Sequence, residues 1–177
     1  LPPSLKEAIR QFFIVNVIRD LRGNKTSHRS MLINVSRFTS VQGRLKEAVA
    51  EYVGDLKDII QSYAMSLDGE SEPEIRNLKD TFDNFRCKEF DWKTIKENLF
   101  SSTSEIKCYV VNQKNSNTLD YDANKKDGLR AIVIGGLALS RGYTLEGLCV
   151  SYLYRTTAYY DTLMQMGRWF GYRIGYE

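Results

Sequence analysis

Apolar positions first recur at helical spacing in Leu5, Ala8, Ile9, Phe12 and Phe13, which predicts a helix from Ser4 to about Leu21 with a wide buried face. Ser4-Leu5-Lys6-Glu7 has the form of a capping box, and Gly23 stands where the helix should stop. A basic loop with Arg22, Lys25, His28 and Arg29 follows. "SMLINVS", residues 30–36, is a short apolar run of strand formers. Val41, Leu45, Ala48, Tyr52, Val53, Leu56, Ile60 and Tyr63 then mark one face of an amphipathic helix. Residues 66–104 change character. Asp68, Glu70, Glu72 and Glu74 surround Pro73, and Ile75, Leu78, Phe82 and Phe85 suggest a helix. Asp91 can cap another, with Ile95 and Leu99 turned inward. This stretch reads as a helical insertion.

Strand character returns at "IKCYVVN", residues 106–112. A polar stretch from Gln113 to Asp127 comes next, long enough to suggest a functional or disordered loop. "RAIVIGG", residues 130–136, is continuously apolar and ends in two glycines, as suits a central parallel strand. "LCVSYLY", residues 148–154, is a further strand, and residues 157–170 read as a last helix. The order predicts an α/β sandwich with a mainly parallel sheet. Ligands should then gather at the carboxyl ends of the strands, where the loops after Ser36, Asn112 and Gly136 emerge.

Composition narrows the class only modestly. The 177 residues suit one domain, and 42% apolar with 27% charged residues fits a folded soluble chain. A net charge of +3 permits nucleic-acid contact without demanding it. Cys87, Cys108 and Cys149 are scattered, with no CxxC pair, which argues against a zinc site or a disulfide framework and for a reducing, cytoplasmic setting. No apolar run is long enough to span a bilayer. A start at Leu1-Pro2-Pro3 is expected of a piece cut from a longer protein.

Two stretches carry candidate chemistry. In "GGLALSRGYTLEGL", residues 135–148, a buried strand runs into a glycine pair and then Ser140-Arg141-Gly142 and Thr144. Glycines let a backbone approach phosphate, and hydroxyls can donate to it. The plainer alternative is a tight turn with polar surface residues. In "QMGRWFGYR", residues 165–173, Arg168 and Arg173 stand beside Gly167 and Gly171. A guanidinium can neutralise charge on a transferring phosphoryl group. The plainer alternative is a helix end at which arginine complements the dipole. His28, the single histidine, suits loop packing or hydrogen bonding better than general-base work.

Taken together, the two stretches resemble motifs V and VI of superfamily 2 helicase-like ATPases, and "INVSRFTSVQ", residues 33–42, occupies the place of that domain's first strand and loop. The chain resembles most closely the Z-one domain, a family labelled endonuclease that follows a helicase-type ATPase domain in bacterial restriction and defence proteins. "PPSLKEAI", "SMLINVSRFTSVQ", "LSRGYTLEGLCVSYLYRT" and "YDTLMQMGRWFGYRIGYE" carry this likeness over nearly the whole chain. The resemblance implies a single RecA-like second motor domain over residues 1–177, a three-layer sandwich with a helical insertion at 66–104. It implies transition-state stabilisation by Arg168 and Arg173, with Gln165 positioning nucleotide or water. Gly142 and Gly167 would meet nucleotide, and Ser36, Arg37, Arg141 and Thr144 would meet double-stranded DNA. Two residues separate Arg168 from Gly171 where the general helicase pattern has one, and Gln165 lies two residues before Gly167 where it has three. Which arginine is the finger stays open. No GxxxxGK[ST] loop or DExx-type box is present. ATP and magnesium are therefore expected on an N-terminal ATPase domain in cis, and a nuclease or methyltransferase subunit is an expected partner. The expected setting is the bacterial cytoplasm.

Two other classes remain open at this stage. A magnesium-dependent nuclease could use Asp91 with Glu105-Ile106-Lys107, and the acidic helical stretch 66–104 could dock a partner.

Overall fold

The computed structural model describes residues 1–34, 38–66, 68–85, 89–111, 119–136 and 145–154. They form α1 (Pro3–Leu21), β1 (Arg29–Asn34), α2 (Thr39–Tyr63), a 3-10 turn (Gly69–Ser71), α3 (Pro73–Asp83), α4 (Trp92–Thr103), β2 (Lys107–Val111), β3 (Arg130–Gly135) and β4 (Leu148–Leu153). The strands make one sheet in the order β2-β3-β1-β4, and every pairing is parallel. This is the expected α/β architecture, consistent with a RecA-like sandwich. Both β1 and β3 are buried along their whole length, as strands inside a parallel sheet must be.

Alternation along the strands sorts two cores. Met31, Ile33, Ile132 and Ile134 face α1 to α4, whose Phe12, Phe13, Leu56, Leu78 and Leu99 complete the larger one. Leu32, Ala131 and Val133 point the other way, into a smaller core with Val111, Leu119, Leu129, Leu145 and Leu148. Chain direction explains this division. The connection from β1 to β2 crosses the helical face. The returns from β2 to β3 and from β3 to β4 run back across the sheet, so right-handed crossovers put them on the opposite face. Leu119 and Leu129 at the ends of the first return, and Leu145 at the end of the second, are found there.

Two expectations need correction, and a third holds. Ser4 is not the N-cap of α1. Pro3 takes the first helical position, which suits its fixed φ and missing N–H, so Pro2 becomes the cap residue. The Ser4 hydroxyl instead lies 3.0 Å from the Tyr152 hydroxyl. The buried stripe of α2 is also displaced by one position at its start. Gln42, Val49, Val53, Leu56 and Ile60 line it, whereas Val41 and Tyr63 are 44% and 43% exposed. Finally, Asp91 does cap α4, its Oδ1 accepting from Thr94 N at 2.8 Å.

α1 ends in a Schellman arrangement. Gly23, at φ +82°, donates to Asp20 O, and Asn24 N donates to Arg19 O. Beside it, the first residues of β1 and β3 are a register pair, Arg29 and Arg130. Asp20 binds both, through Oδ1 to Arg29 Nη2 at 2.7 Å and through Oδ2 to Arg130 Nη2 at 3.0 Å. Arg29 also donates to Asn16 O and Asn24 O, and Arg130 to Ser102 O. This buried ionic group joins α1, α4 and the sheet at its amino edge. Burial pulls the Arg29 guanidinium below its ordinary value, and Asp20 opposes that.

Candidate functional site at the carboxyl edge of the sheet

In an open parallel sheet, a crevice forms where connections from two neighbouring strands leave toward opposite faces. Here the neighbours are β1, whose connection takes the helical face, and β3, whose return takes the other. Their carboxyl ends, Asn34 and Gly135, are register partners. The topological switch point, where such a crevice is expected, therefore lies at the ends of these two strands. The chain continues from Asn34 into 35–37 and from Gly136 into 137–144.

The described residues at this edge are specific. On the smaller-core face, pairing aligns Val111, Gly135, Asn34 and Leu153 in one row. Tyr154 N donates to Asn34 O at 3.0 Å and closes the pairing. On the helical face, Tyr152 and Tyr154 stack with parallel rings 6.5 Å apart, and Tyr154 is largely exposed. The amino end of α2 starts just beyond β1. Phe38 is its N-cap residue and makes no side-chain capping bond there. A helix amino terminus carries partial positive charge and exposed N–H groups, which favour an anion.

Of the residues singled out from sequence, Ser36 and Arg37 follow β1 in the chain, and Arg141, Gly142 and Thr144 follow β3. Ser36, Arg37, Arg141, Gly142, Thr144, Gln165, Gly167, Arg168 and Arg173 all lie outside the described residues. The expected helix at 157–170 and Cys87 lie outside them too. The edge to which those segments attach is described. β1, β2 and β3 do run in parallel, so their outgoing segments start from one edge, as the parallel reading required.

The nuclease grouping does not assemble. Asp91 caps the start of α4, whereas Glu105 follows its end. Twelve helical residues separate them by about 18 Å, too far to share a metal ion. Hydrogen bonding to Thr94 holds the Asp91 carboxyl below its ordinary value, in keeping with a capping role. Among the described residues, no three His, Cys, Asp or Glu side chains converge as a metal site requires.

His28 is a structural residue at the opposite, amino edge. Its Nδ1 accepts from Leu129 N at 2.9 Å, and its ring meets Tyr121 edge-on at 5.0 Å. Tyr121 in turn reaches Ser30 Oγ at 3.2 Å. The polar stretch expected to be a loop thus begins to pack by Tyr121. Neither Cys108 nor Cys149 is in a disulfide.

Sequence reasoning missed Asn34 and Gln42, each 2% exposed. The available signal was a lone polar residue ending an apolar run, and a glutamine in phase with Val49, Val53 and Leu56.

No helix of the described residues is long and apolar enough to cross a membrane. The Z1 domain family model matches residues 4–177. No curated protein and no solved structure matches the chain.

Proposed function

Because the chain belongs to the Z1 domain family, and because its parallel sheet has its topological switch point at Asn34 and Gly135, we propose that it is the second motor domain of a superfamily 2 helicase-like, DNA-dependent ATPase. Its work would be ATP-driven translocation or remodelling of DNA in restriction or phage defence. The observation that carries this reading is the switch point. The two strands flanking it lead directly into 35–37 and 137–144, the segments that hold Ser36, Arg37, Arg141, Gly142 and Thr144. The positive end of α2 at the same edge supports an anionic ligand there.

In this reading a preceding ATPase domain would hold ATP with magnesium, which would supply charge neutralisation at the phosphates. This chain's part is electrostatic. Arg168 and Arg173 reach across the cleft and stabilise charge that develops on the γ-phosphate oxygens. Gln165 positions nucleotide or water, beside Gly167. Gly142 and Thr144 couple the nucleotide to DNA, while Ser36, Arg37 and Arg141 hold the DNA backbone.

The test is turnover in the full-length protein. Arg168→Ala and Arg173→Ala should leave folding and ATP binding intact, and loss of a finger should lower turnover by about three to five orders of magnitude. Lysine should restore little, since an ammonium lacks the planar fork. Loss in one variant only identifies the finger. Unchanged turnover in both, with a change of stability of about 1 kcal/mol or less, would leave the arginines as helix-end residues and remove the proposal.

A further inference from the structure

The edge row Val111–Gly135–Asn34–Leu153 contains one polar side chain. Asn34 is two residues beyond Leu32 and therefore shares its face. The next row inward on that face includes Val133 and Leu32, both fully buried. Asn34 Oδ1 is itself buried and has no hydrogen-bond partner among the described residues. Buried acceptors are nearly always paired, and an unpaired one costs more than a hydrogen bond returns. Gly135, its neighbour in register, brings no side chain to that face. An unpaired amide and a missing side chain thus meet at the topological switch point, where a ligand is expected on separate grounds.

We propose that Asn34 is a ligand-binding residue of this crevice, and that Oδ1 accepts a hydrogen bond from an N–H or O–H of a nucleotide, either a base edge or a sugar hydroxyl. The idea rests on the motor-domain reading for the nucleotide class and adds to it a residue and a chemical preference. The orphaned atom is an acceptor, and a phosphate brings only acceptors. A neutral carboxamide also adds no charge to attract one. Phosphate recognition falls to the arginines and the α2 terminus, while Asn34 reads a neutral part of the same molecule. Two sources can present that chemistry, free nucleotide and a nucleic-acid strand.

The experiment follows the Asn34 side-chain amide by NMR in the full chain, its signal assigned by its loss in Asn34→Leu. ATP, a 20-base-pair DNA duplex and inorganic tripolyphosphate are the probes. The expected result is a saturable shift with ATP or with DNA, whichever is the source, and none with tripolyphosphate. Asn34→Leu should weaken that ligand about ten-fold or more. It should leave the urea midpoint unchanged or raised, because it removes an unpaired buried acceptor. An equal shift with tripolyphosphate would overturn the assignment to a neutral group. A lowered midpoint with unchanged affinity would mean that the amide has an internal partner, and would overturn the proposal. Should Asn34→Leu fold poorly, the wild-type amide signal decides alone. Wild type that binds neither nucleotide nor DNA would sink the motor-domain reading and this inference together. Wild type that binds, with Asn34→Leu binding equally well, would sink only the inference.

Discussion

Asp20 Oδ1 lies 2.7 Å from Arg29 Nη2, and the Arg29 side chain is wholly closed to solvent. The same carboxylate holds Arg130. Two buried guanidinium groups therefore share one carboxylate at the amino edge. Removing one partner of a buried pair leaves an uncompensated charge, which costs about 3–5 kcal/mol. Asp20→Asn should therefore lower stability on that scale in urea titration. The carboxyl-edge crevice lies at the other end of the strands, so the fraction that remains folded should keep its ligand affinity. A cost below about 1 kcal/mol would mean that the carbonyls of Asn16, Asn24 and Ser102 suffice.

Glycines divide into two groups with opposite expected signs. A Cβ on Gly43 or Gly54, inside α2, would meet nothing within 4 Å. Alanine at either position should stabilise by about 0.5–1 kcal/mol through its better helix propensity. Gly147 has φ +62°, and a Cβ there would fall 1.8 Å from His28 O. Gly147→Ala should cost more than about 1 kcal/mol, since strain and collision act together. Thermal melts of the three variants check this, and stabilisation by Gly147→Ala would refute the close approach of 147 to β1.

Burial pushes the Cys108 thiol up to about 11, against a smaller opposing pull from Lys57 and Lys46. Only the thiolate alkylates readily. At pH 8, folded Cys108 should react with iodoacetamide on the order of a hundred-fold more slowly than in urea, where thiols have a pKa of about 8.5. The folded chain favours the neutral thiol, so its contribution to stability is full below the ordinary thiol range. It is lost as pH rises toward about 11. Peptide mass spectrometry reads the labelling, and equal rates in both states would show the thiol to be open.

Strands were the most legible part of the fold. Runs such as "MLIN" and "RAIVIG" are apolar without alternation because both their faces are covered. The order β2-β3-β1-β4 was not legible, since pairing joins residues a hundred positions apart, as Arg29 with Arg130. Helix starts failed for local reasons. Pro3 outcompeted Ser4 for the amino terminus of α1. Val41 competed with Gln42 for the stripe of α2, and tertiary packing chose the polar residue. Asn34 escaped notice because a polar residue ending an apolar run looks like a boundary. Only the pairing with Gly135 shows that it is buried among apolar neighbours.

DNA contact makes the last prediction. Any affinity from Arg37, Arg141 and the α2 terminus is directed at phosphates, which carry no sequence information. Binding to unrelated duplexes should therefore be equally weak. Each phosphate neutralised releases counterions, so log affinity should fall against log salt with a slope near 0.9 per contact. Arg37→Ala and Arg141→Ala should each reduce that slope by about one and weaken all duplexes alike. Arg76, exposed on α3 and donating to Ser71 O, serves as the control, and Arg76→Ala should leave the slope unchanged. Fluorescence anisotropy between about 50 and 200 mM salt covers the range in which the effect is large. A flat salt response would argue for a protein-docking module in place of a motor domain. An equal loss in the Arg76 control would mean diffuse attraction by net charge, with no DNA path along the carboxyl edge.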